Sequence, residues 1–469
     1  MSANTIFLEE AYHGFAVYVN KNRAIPDARD GLKQGQRIAL YLMRNRRDKI
    51  KTIALAGTMI AEELYVHGDT AAADSISQLA GPFKNNVPLL LGKGSFGSLL
   101  KPTAFASARY TYVKKPEYTN SLLYMDADII PMVENHDGSR LMPETFFPMV
   151  PTHLLNGAEG IGVGYSDRVF PRNLNDLIDA ISVCLRDDKS EEFPRLAPSF
   201  DFMNNQRGVF KGYNKSGGMV WVFTGKVEVK DASTLVVTEL PAMNLTIDSF
   251  KEQLNEMMDA GEINDVKDFS SRTINIEIKL RRGRCRTWTE EDAITFLKLR
   301  KEASETFVVT TFDGKGIVQY IHDAKQKYAD PVERYLREWT KWRFSQYLVR
   351  YENLIKLAEA ELLYLLCIKA CFDHKMPDRI SKKKNRADMK SDIINCASRD
   401  GLMASDDIAD RISARASYSW TQEAYQKIIS EITRLKNDIS KYKGLVMSNT
   451  KRRNVFASEL KELKNLKVR

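Results

Sequence analysis

The spacing of apolar positions changes character along the chain. Residues 1–20 place Ile6, Leu8, Tyr12 and Phe15 on one face, which predicts a short amphipathic helix. Residues 21–150 mix helical stretches with Gly- and Pro-rich turns. Within them Ile50–Leu64 reads as helix, and its small residues Ala54, Ala56, Gly57 and Ala61 leave room for another backbone, as in a helix-turn-helix element lying in a DNA groove. Between 151 and 330 the pattern turns β-rich. Met219–Val229, Thr234–Glu239 and Thr273–Ile278 alternate or carry β-branched residues, with helical stretches between them, and predict a second α/β domain.

From Pro331, which suits the first turn of a helix, the period changes again. Phe344, Tyr347, Tyr351, Leu354 and Ala358 recur at steps of three and four. So do Tyr425, Ile428, Ile432, Leu435, Ile439, Tyr442 and Val446. These seams predict two long helices paired as an antiparallel coiled coil, with the polar, basic stretch 373–418 between them as a small globular tip. An ordinary helical bundle would carry the same seams. Val455, Phe456, Leu460 and Leu463 predict that the helix runs on to the end.

Composition adds that this is a folded chain. Of its 469 residues 43% are hydrophobic and 10% aromatic, enough for two to four well-built domains. The formal net charge of +9 is mild, and a solvated surface explains it as well as a partner does. Its clusters are more telling: Arg44, Arg46, Arg47, Lys49 and Lys51; Lys279, Arg281, Arg282 and Arg284; Lys382, Lys383, Lys384 and Arg386. Such groups suit phosphate backbones, where each neutralised phosphate releases counterions. The five cysteines form no CxxC pair, and no His stands at ligand spacing to Cys367 and Cys371. They read as core residues in a reducing compartment. No secretory signal is read, and the longest apolar run, Leu362–Cys371, is interrupted by Lys369 and too short to span a bilayer. A soluble, cytoplasmic protein is expected.

Candidate chemistry centres on Ala108-Arg109-Tyr110-Thr111. A tyrosine phenol, with a pKa near 10, is a poor nucleophile unless a positioned phosphate and nearby positive charge assist it; an adjacent arginine supplies both charge and a hydrogen-bonding fork. One Arg-Tyr pair in a chain with 19 tyrosines carries no weight alone. Its surroundings do. Upstream lie Arg23-Ala24-Ile25-Pro26-Asp27-Ala28-Arg29-Asp30-Gly31-Leu32-Lys33 with Arg37, then His67-Gly68-Asp69, then Gly92-Lys93-Gly94-Ser95-Phe96-Gly97-Ser98. Downstream lie Asn135-His136-Asp137-Gly138 and Asn156-Gly157-Ala158-Glu159-Gly160-Ile161-Gly162-Val163-Gly164.

In this order the segments resemble the DNA-gate motifs of type IIA DNA topoisomerases: the gyrase A protein, its topoisomerase IV counterpart and, nearest in size, the medium subunit of T-even-type phage enzymes. The motifs cover residues 10–320, and the coiled-coil pattern extends the likeness to the remainder. The resemblance implies an α+β multidomain protein: an N-terminal arm (1–20), a winged-helix DNA-gate domain with the active tyrosine (21–150), an α/β tower (151–330), and a coiled coil with a C-gate tip (331–469).

It also implies roles. Tyr110 would attack a DNA phosphate and hold the 5′ end, with Arg109 stabilising the reacting phosphate. Arg23, Lys33 and Arg37 would grip the backbone near the cut, and His67 would contact the phosphate region. Ile161 would wedge between base pairs and bend the duplex. Thr70 and Asp74 fall where bacterial relatives contact quinolone drugs. Departures are Tyr65 where a second His is usual, Gln34 for Pro, Gln36 for His and Ser95 for Asn.

No P-loop or ATP-lid pattern is found, and Asp126-Ala127-Asp128 lacks the further acids of a Toprim metal site, so it reads as a turn or surface feature. Mg2+ and ATP are therefore expected on a large Toprim- and ATPase-bearing partner, to which the N-terminal arm would dock, with no metal site on this chain. The chain itself would be a homodimer on double-stranded DNA. No β-propeller is read after the coiled coil, so wrapping of DNA is not expected. The competing reading is a non-enzymatic, dimeric winged-helix and coiled-coil DNA-binding protein, which composition and heptads fit equally well.

Overall fold

The computed structural model describes residues 12–186, 192–382 and 385–466, so Ile6 and Leu8 of the expected arm lie outside the described residues. The described chain divides into two compact units, one running to Arg343 and taking in the residues from Ala457 on, the other Phe344–Phe456.

The first unit opens with helix α1 (His13–Val19), which leaves Tyr12, Phe15 and Val17 exposed and runs into a π-helical turn, Asn20–Ala24. A helix–strand–helix–helix–strand–strand series follows: α2 (Gln34–Met43), β1 (Ile50–Lys51), α3 (Thr52–Ala61), α4 (Asp69–Ala80), β2 (Leu91–Lys93) and β3 (Tyr112–Lys114). The three strands form an antiparallel sheet in the order β1-β3-β2, which gives a winged helix. The expected helix Ile50–Leu64 therefore starts two residues late, because Ile50 and Lys51 pair with Val113 and Tyr112.

Helix α5 (Tyr118–Leu123) leads to the turn expected at Asp126, but the residue is not on the surface. Its carboxylate is buried against the equally buried guanidinium of Arg343, 2.5 Å away. Only Asp128 of that pair of acids is exposed. Two hairpins follow, β4 (Met132–Glu134) with β5 (Leu141–Pro143), and, after the short helix α6 (Thr152–Asn156), β6 (Ala158–Ile161) with β7 (Ser166–Val169).

Beyond helix α7 (Leu174–Arg186) and the short pair β8 (Ser199–Phe200) and β9 (Gln206–Arg207), two sheets share the β-rich stretch. The segment Met219–Val229, expected as one strand, is two: β11 (Met219–Thr224) beside β10 (Val209–Tyr213), and β12 (Lys226–Asp231) in the next sheet. They part at Gly225, where a side chain would meet the Glu239 carbonyl oxygen at 2.4 Å. Strand β12 pairs with β13 (Thr234–Glu239). After helix α8 (Ile247–Asp259) the sheet is completed by β14 (Asp265–Asp268) and β15 (Ile276–Lys279).

Leu235, Val237, Ile276 and Ile278 on one sheet face pack with Phe250 and Leu254 of α8 and Ala293 of α9 (Glu290–Phe296). Strand β16 (Arg300–Ser304) joins β11, and β17 (Phe307–Thr310) pairs with β18 (Ile317–Tyr320). Between them, Glu305 is buried and satisfied on all sides by Arg172, the Trp221 indole N–H and the Phe170 amide. A buried carboxylate is tolerated only on such terms.

Helix α10 (Pro331–Asp373) starts in the first unit, where the Tyr335 hydroxyl and Trp339 indole donate to the carbonyls of Ala28 and Arg29, both at 2.8 Å. Its later residues form the second unit with α11 (Arg386–Arg399), α12 (Asp406–Ser413) and α13 (Gln422–Met447). Contacts Tyr351–Tyr442 and Asp373–Tyr425 run in opposite senses along α10 and α13, so the pair is antiparallel. Tyr347, Tyr351, Ile428, Ile432, Leu435 and Ile439 of the two seams are buried.

The expected continuous run to the end is interrupted. Ser448 turns extended, and α14 (Asn449–Leu463) begins anew. The Arg452 guanidinium folds back onto the end of α13, donating to the Leu445 carbonyl at 2.6 Å, which the Ser448 amide also reaches, and to the Val446 carbonyl. No helix among the described residues is long and apolar enough to cross a membrane.

Candidate active site

Tyr110 ends the long wing loop between β2 and β3. The loop folds on itself through Phe96 and Phe105, whose rings lie 6.2 Å apart. Its last residues are held by the first turn of α3. The Thr52 and Ile53 amides, which a helix start leaves without intrahelical partners, donate to the carbonyls of Thr111 (3.0 Å) and Ala108 (3.2 Å). The buried hydroxyls of Thr111 and Thr52 meet at 2.8 Å. The backbone is thus fixed on both sides of Tyr110, while the residue is 72% exposed. Arg109 beside it is also exposed. Neither side chain hydrogen-bonds or ion-pairs with any described residue. A rigid backbone carrying two unengaged polar groups is what a nucleophile with an attendant phosphate ligand requires.

A cavity of about 380 Å³ in the first unit gathers Arg23, Lys33, His67, Asp74, Lys84 and Glu159. Lys33 ends the loop before α2 and donates from Nζ to the Glu159 carbonyl at 2.6 Å. Burial holds its ammonium below the ordinary lysine range, and the charge of Lys84 adds to this. His67 precedes α4, touches the Tyr18 hydroxyl at 3.2 Å and meets the Tyr65 ring edge-on. Burial and the charge of Arg23 lower its pKa. Tyr65, where the resemblance implied a second His, thus packs against His67. Asp74 lies one turn along α4 from the exposed Thr70, whose amide is bound by Asp69 Oδ1 at 2.8 Å. Thr70, Arg109, Tyr110 and Ile161 do not line this cavity.

Arg37 departs from expectation. Rather than reaching outward to a phosphate backbone, it is buried, and Nε and Nη2 form a forked pair with Asp30 at 2.5 and 2.9 Å. Arg29 is likewise committed, to Asp27 and Glu144. In this arginine- and aspartate-rich motif the inner ion pairs shape the loop, and Arg23 and Lys33 at its two ends carry charge into the cavity.

Ile161 is 87% exposed at the tip of the β6–β7 hairpin. The glycines around it are dictated by close approach. A side chain at Gly160 would fall 1.9 Å from the Ala24 carbonyl oxygen, and one at Gly162 2.1 Å from Asn20 Oδ1. Asn20 clamps the hairpin by accepting from the Val163 amide (2.7 Å) and donating to its carbonyl (2.9 Å). On strand β7 of the hairpin Asp167 is buried, accepts from the Val308 amide at 3.1 Å, and has one oxygen without a partner among the described residues. Burial pushes its carboxyl well above the usual range.

Asn20, Lys84 and Asp167 escape sequence reasoning because none belongs to a motif; only their tertiary neighbours mark them. Among the described residues no three His, Cys, Asp or Glu side chains gather as a metal site.

The fold and these motifs have known counterparts. The family described as the A subunit of DNA gyrase/topoisomerase IV matches residues 23–461. The DNA gyrase A subunit of Campylobacter jejuni is 28% identical over 98% of this chain and 53% of its own length. DNA topoisomerase 2 of Arabidopsis thaliana is 30% identical over 73% of this chain and 23% of its own. The chain thus spans about half, or less, of the curated relatives it matches. In structure it resembles the DNA-binding, cleavage and re-ligation domain of Plasmodium falciparum topoisomerase II, with a TM-score of 0.77 and 22% identity over 97% of this chain and 64% of that one. The chain belongs to the family of DNA gyrase/topoisomerase IV A subunits.

Proposed function

We propose that this chain is the DNA-cleaving and resealing subunit of an ATP-dependent type II DNA topoisomerase, and that it acts as a homodimer with a Toprim- and ATPase-bearing partner. The observation that carries the reading is Tyr110: an exposed phenol beside an unengaged Arg109, on backbone pinned to a helix start. In the reaction the Tyr110 hydroxyl attacks a backbone phosphorus. The phenolic oxygen–phosphorus bond forms as the bond to the 3′ oxygen breaks, the phenol gives up its proton and the 3′ oxygen takes one. Arg109 stabilises charge on the phosphate oxygens in transit. The 5′ phosphotyrosine keeps the bond energy, so the freed 3′ hydroxyl reseals the strand by the reverse step. With one cut per strand, a second duplex passes, giving relaxation and decatenation.

Arg23, Lys33 and His67 bind the gate duplex near the cut, and Ile161 bends it. Residues 1–20 serve as the docking arm, 21–150 as the winged-helix gate, 151–330 as the tower, and 331–469 as the coiled coil and exit gate with its tip at 373–418. Thr70 and Asp74 mark the drug-contact face. Mg2+ and ATP belong to the partner, and the metal would polarise the phosphate from there. A cytoplasmic setting fits, that of the host cell for a phage-encoded protein.

The test is covalent trapping: chain and partner with plasmid, Mg2+ and a detergent quench. Protein linked to 5′ ends is expected, abolished by Tyr110→Phe and slowed by about 10²–10³-fold in Arg109→Ala. An adduct that survives Tyr110→Phe refutes the assignment.

A further inference from the structure

Lys84 lies between α4 and β2 in the Pro82-Phe83-Lys84-Asn85 turn, outside every motif that marks the site. Its backbone is fixed in that turn by the Gly81 carbonyl. Its side chain lines the cavity of about 380 Å³ with Arg23, Lys33 and His67. Lys33 has a hydrogen bond to the Glu159 carbonyl. Lys84 has neither a hydrogen bond nor an ion pair with any described residue. Burial nevertheless holds its ammonium below the ordinary lysine range, against the weaker opposing pull of Asp74 and Glu159. Lys33 and Lys84 also repel each other across this space.

A partly desolvated ammonium without a hydrogen-bonded or ion-paired partner is costly, and two facing each other cost more. The fold therefore gives up stability by holding Lys84 there. Three basic side chains (Arg23, Lys33, Lys84) face two carboxylates (Asp74, Glu159), and burial and Arg23 disfavour a proton on His67, so basic groups outnumber acidic ones by one on these walls. A phosphodiester carries one negative charge and only acceptor oxygens, and it matches both features.

We propose that Lys84 is a further phosphate-binding residue of this site, taking a backbone phosphate of the bound duplex together with Lys33 and Arg23. The assignment rests on the DNA-cleavage reading above and adds a ligand that no motif supplies. It requires that Lys84 contribute as a charge, not as packing.

The experiment measures affinity of the full chain for a short fluorescent duplex across a salt series. Lys84→Met lowers the slope of log K against log salt by about 0.9 and weakens binding several-fold at low salt, whereas Lys84→Arg keeps the wild-type slope. Lys427→Met, on the exposed face of α13, removes one charge and leaves the slope unchanged. Melting curves check folding, and Lys84→Gln replaces Lys84→Met if the latter unfolds. An unchanged slope in the charge-removing variant, or an equal drop in Lys427→Met, overturns the proposal. If the Tyr110 adduct forms normally and only the slope prediction fails, the Lys84 assignment alone falls. If the slope drops as stated but no adduct forms with partner and Mg2+ present, the topoisomerase reading falls and the phosphate contact stands.

Discussion

His153 shows how far a single side chain can be taken from water. It is 1% exposed, its ring lies between Phe307 and Tyr335, and neither ring nitrogen has a hydrogen-bond partner among the described residues. Gly31 runs so close that a side chain there would fall 2.5 Å from His153 Nδ1. Burial first, then the charge of Arg172, drive its pKa down to about 3 from 6.5. Unfolding frees an imidazole that takes a proton below about pH 6.5, so between there and pH 3 the unfolded state holds the extra proton. Stability from this residue is complete above pH 6.5 and falls as the pH drops through that window, by up to about 1.4 kcal/mol per pH unit. His153→Phe is therefore expected to lose less stability than wild type between pH 7 and about pH 4.5. Denaturant midpoints at several pH values decide it; parallel profiles for the two proteins would count against the argument.

Among the elements, the β6–β7 hairpin couples packing to function most directly. Its inner side has no room for a methyl group at Gly160, while its tip holds Ile161 in solvent. The two positions should separate cleanly. Gly160→Ala forces backbone apart and is expected to cost about 1–3 kcal/mol of stability. Ile161→Ala touches almost nothing and should change stability by less than about 0.5 kcal/mol, yet reduce duplex bending read by energy transfer between end labels. A full bend with Ile161→Ala would remove the wedge role. The glycines themselves were legible in sequence as a motif, but not their reason. Asn20, the clamp, stands 143 residues from the valine it holds. Similarly, the 3–4 seams of α10 and α13 are readable because burial there repeats with the helix. The break at Ser448 is not, because it depends on Arg452 folding back onto the end of α13.

At the scale of the whole molecule, charge sets the expected behaviour. The chain carries a net +9 and a cluster of cations in its cavity, but no three metal-ligating side chains gather among the described residues. The isolated chain is expected to bind duplex DNA with strong salt dependence and to cleave it very poorly until the partner and Mg2+ are supplied. Efficient cleavage by the chain alone, measured on supercoiled plasmid, would overturn the assignment of the metal site to a partner.

By itself, the sequence determined what is local or periodic. Helical seams and strand alternation survive translation into structure because each depends on neighbours a few residues away, whereas the ordered motifs are readable as residues but are held in place by distant partners, Thr111 by Thr52 and Gly160 by Ala24. Tertiary structure alone decided which charged groups are available. Arg23, Arg29, Lys33, Arg37 and Asp126 look alike as exposed charges in a sequence. Folding buries Arg37 against Asp30, Arg29 against Asp27 and Asp126 against Arg343, and leaves Arg23 and Lys33 lining a cavity with Lys84. The physical reason is that the state of a charge is set by the dielectric and partners around it, and those partners come from distant parts of the chain.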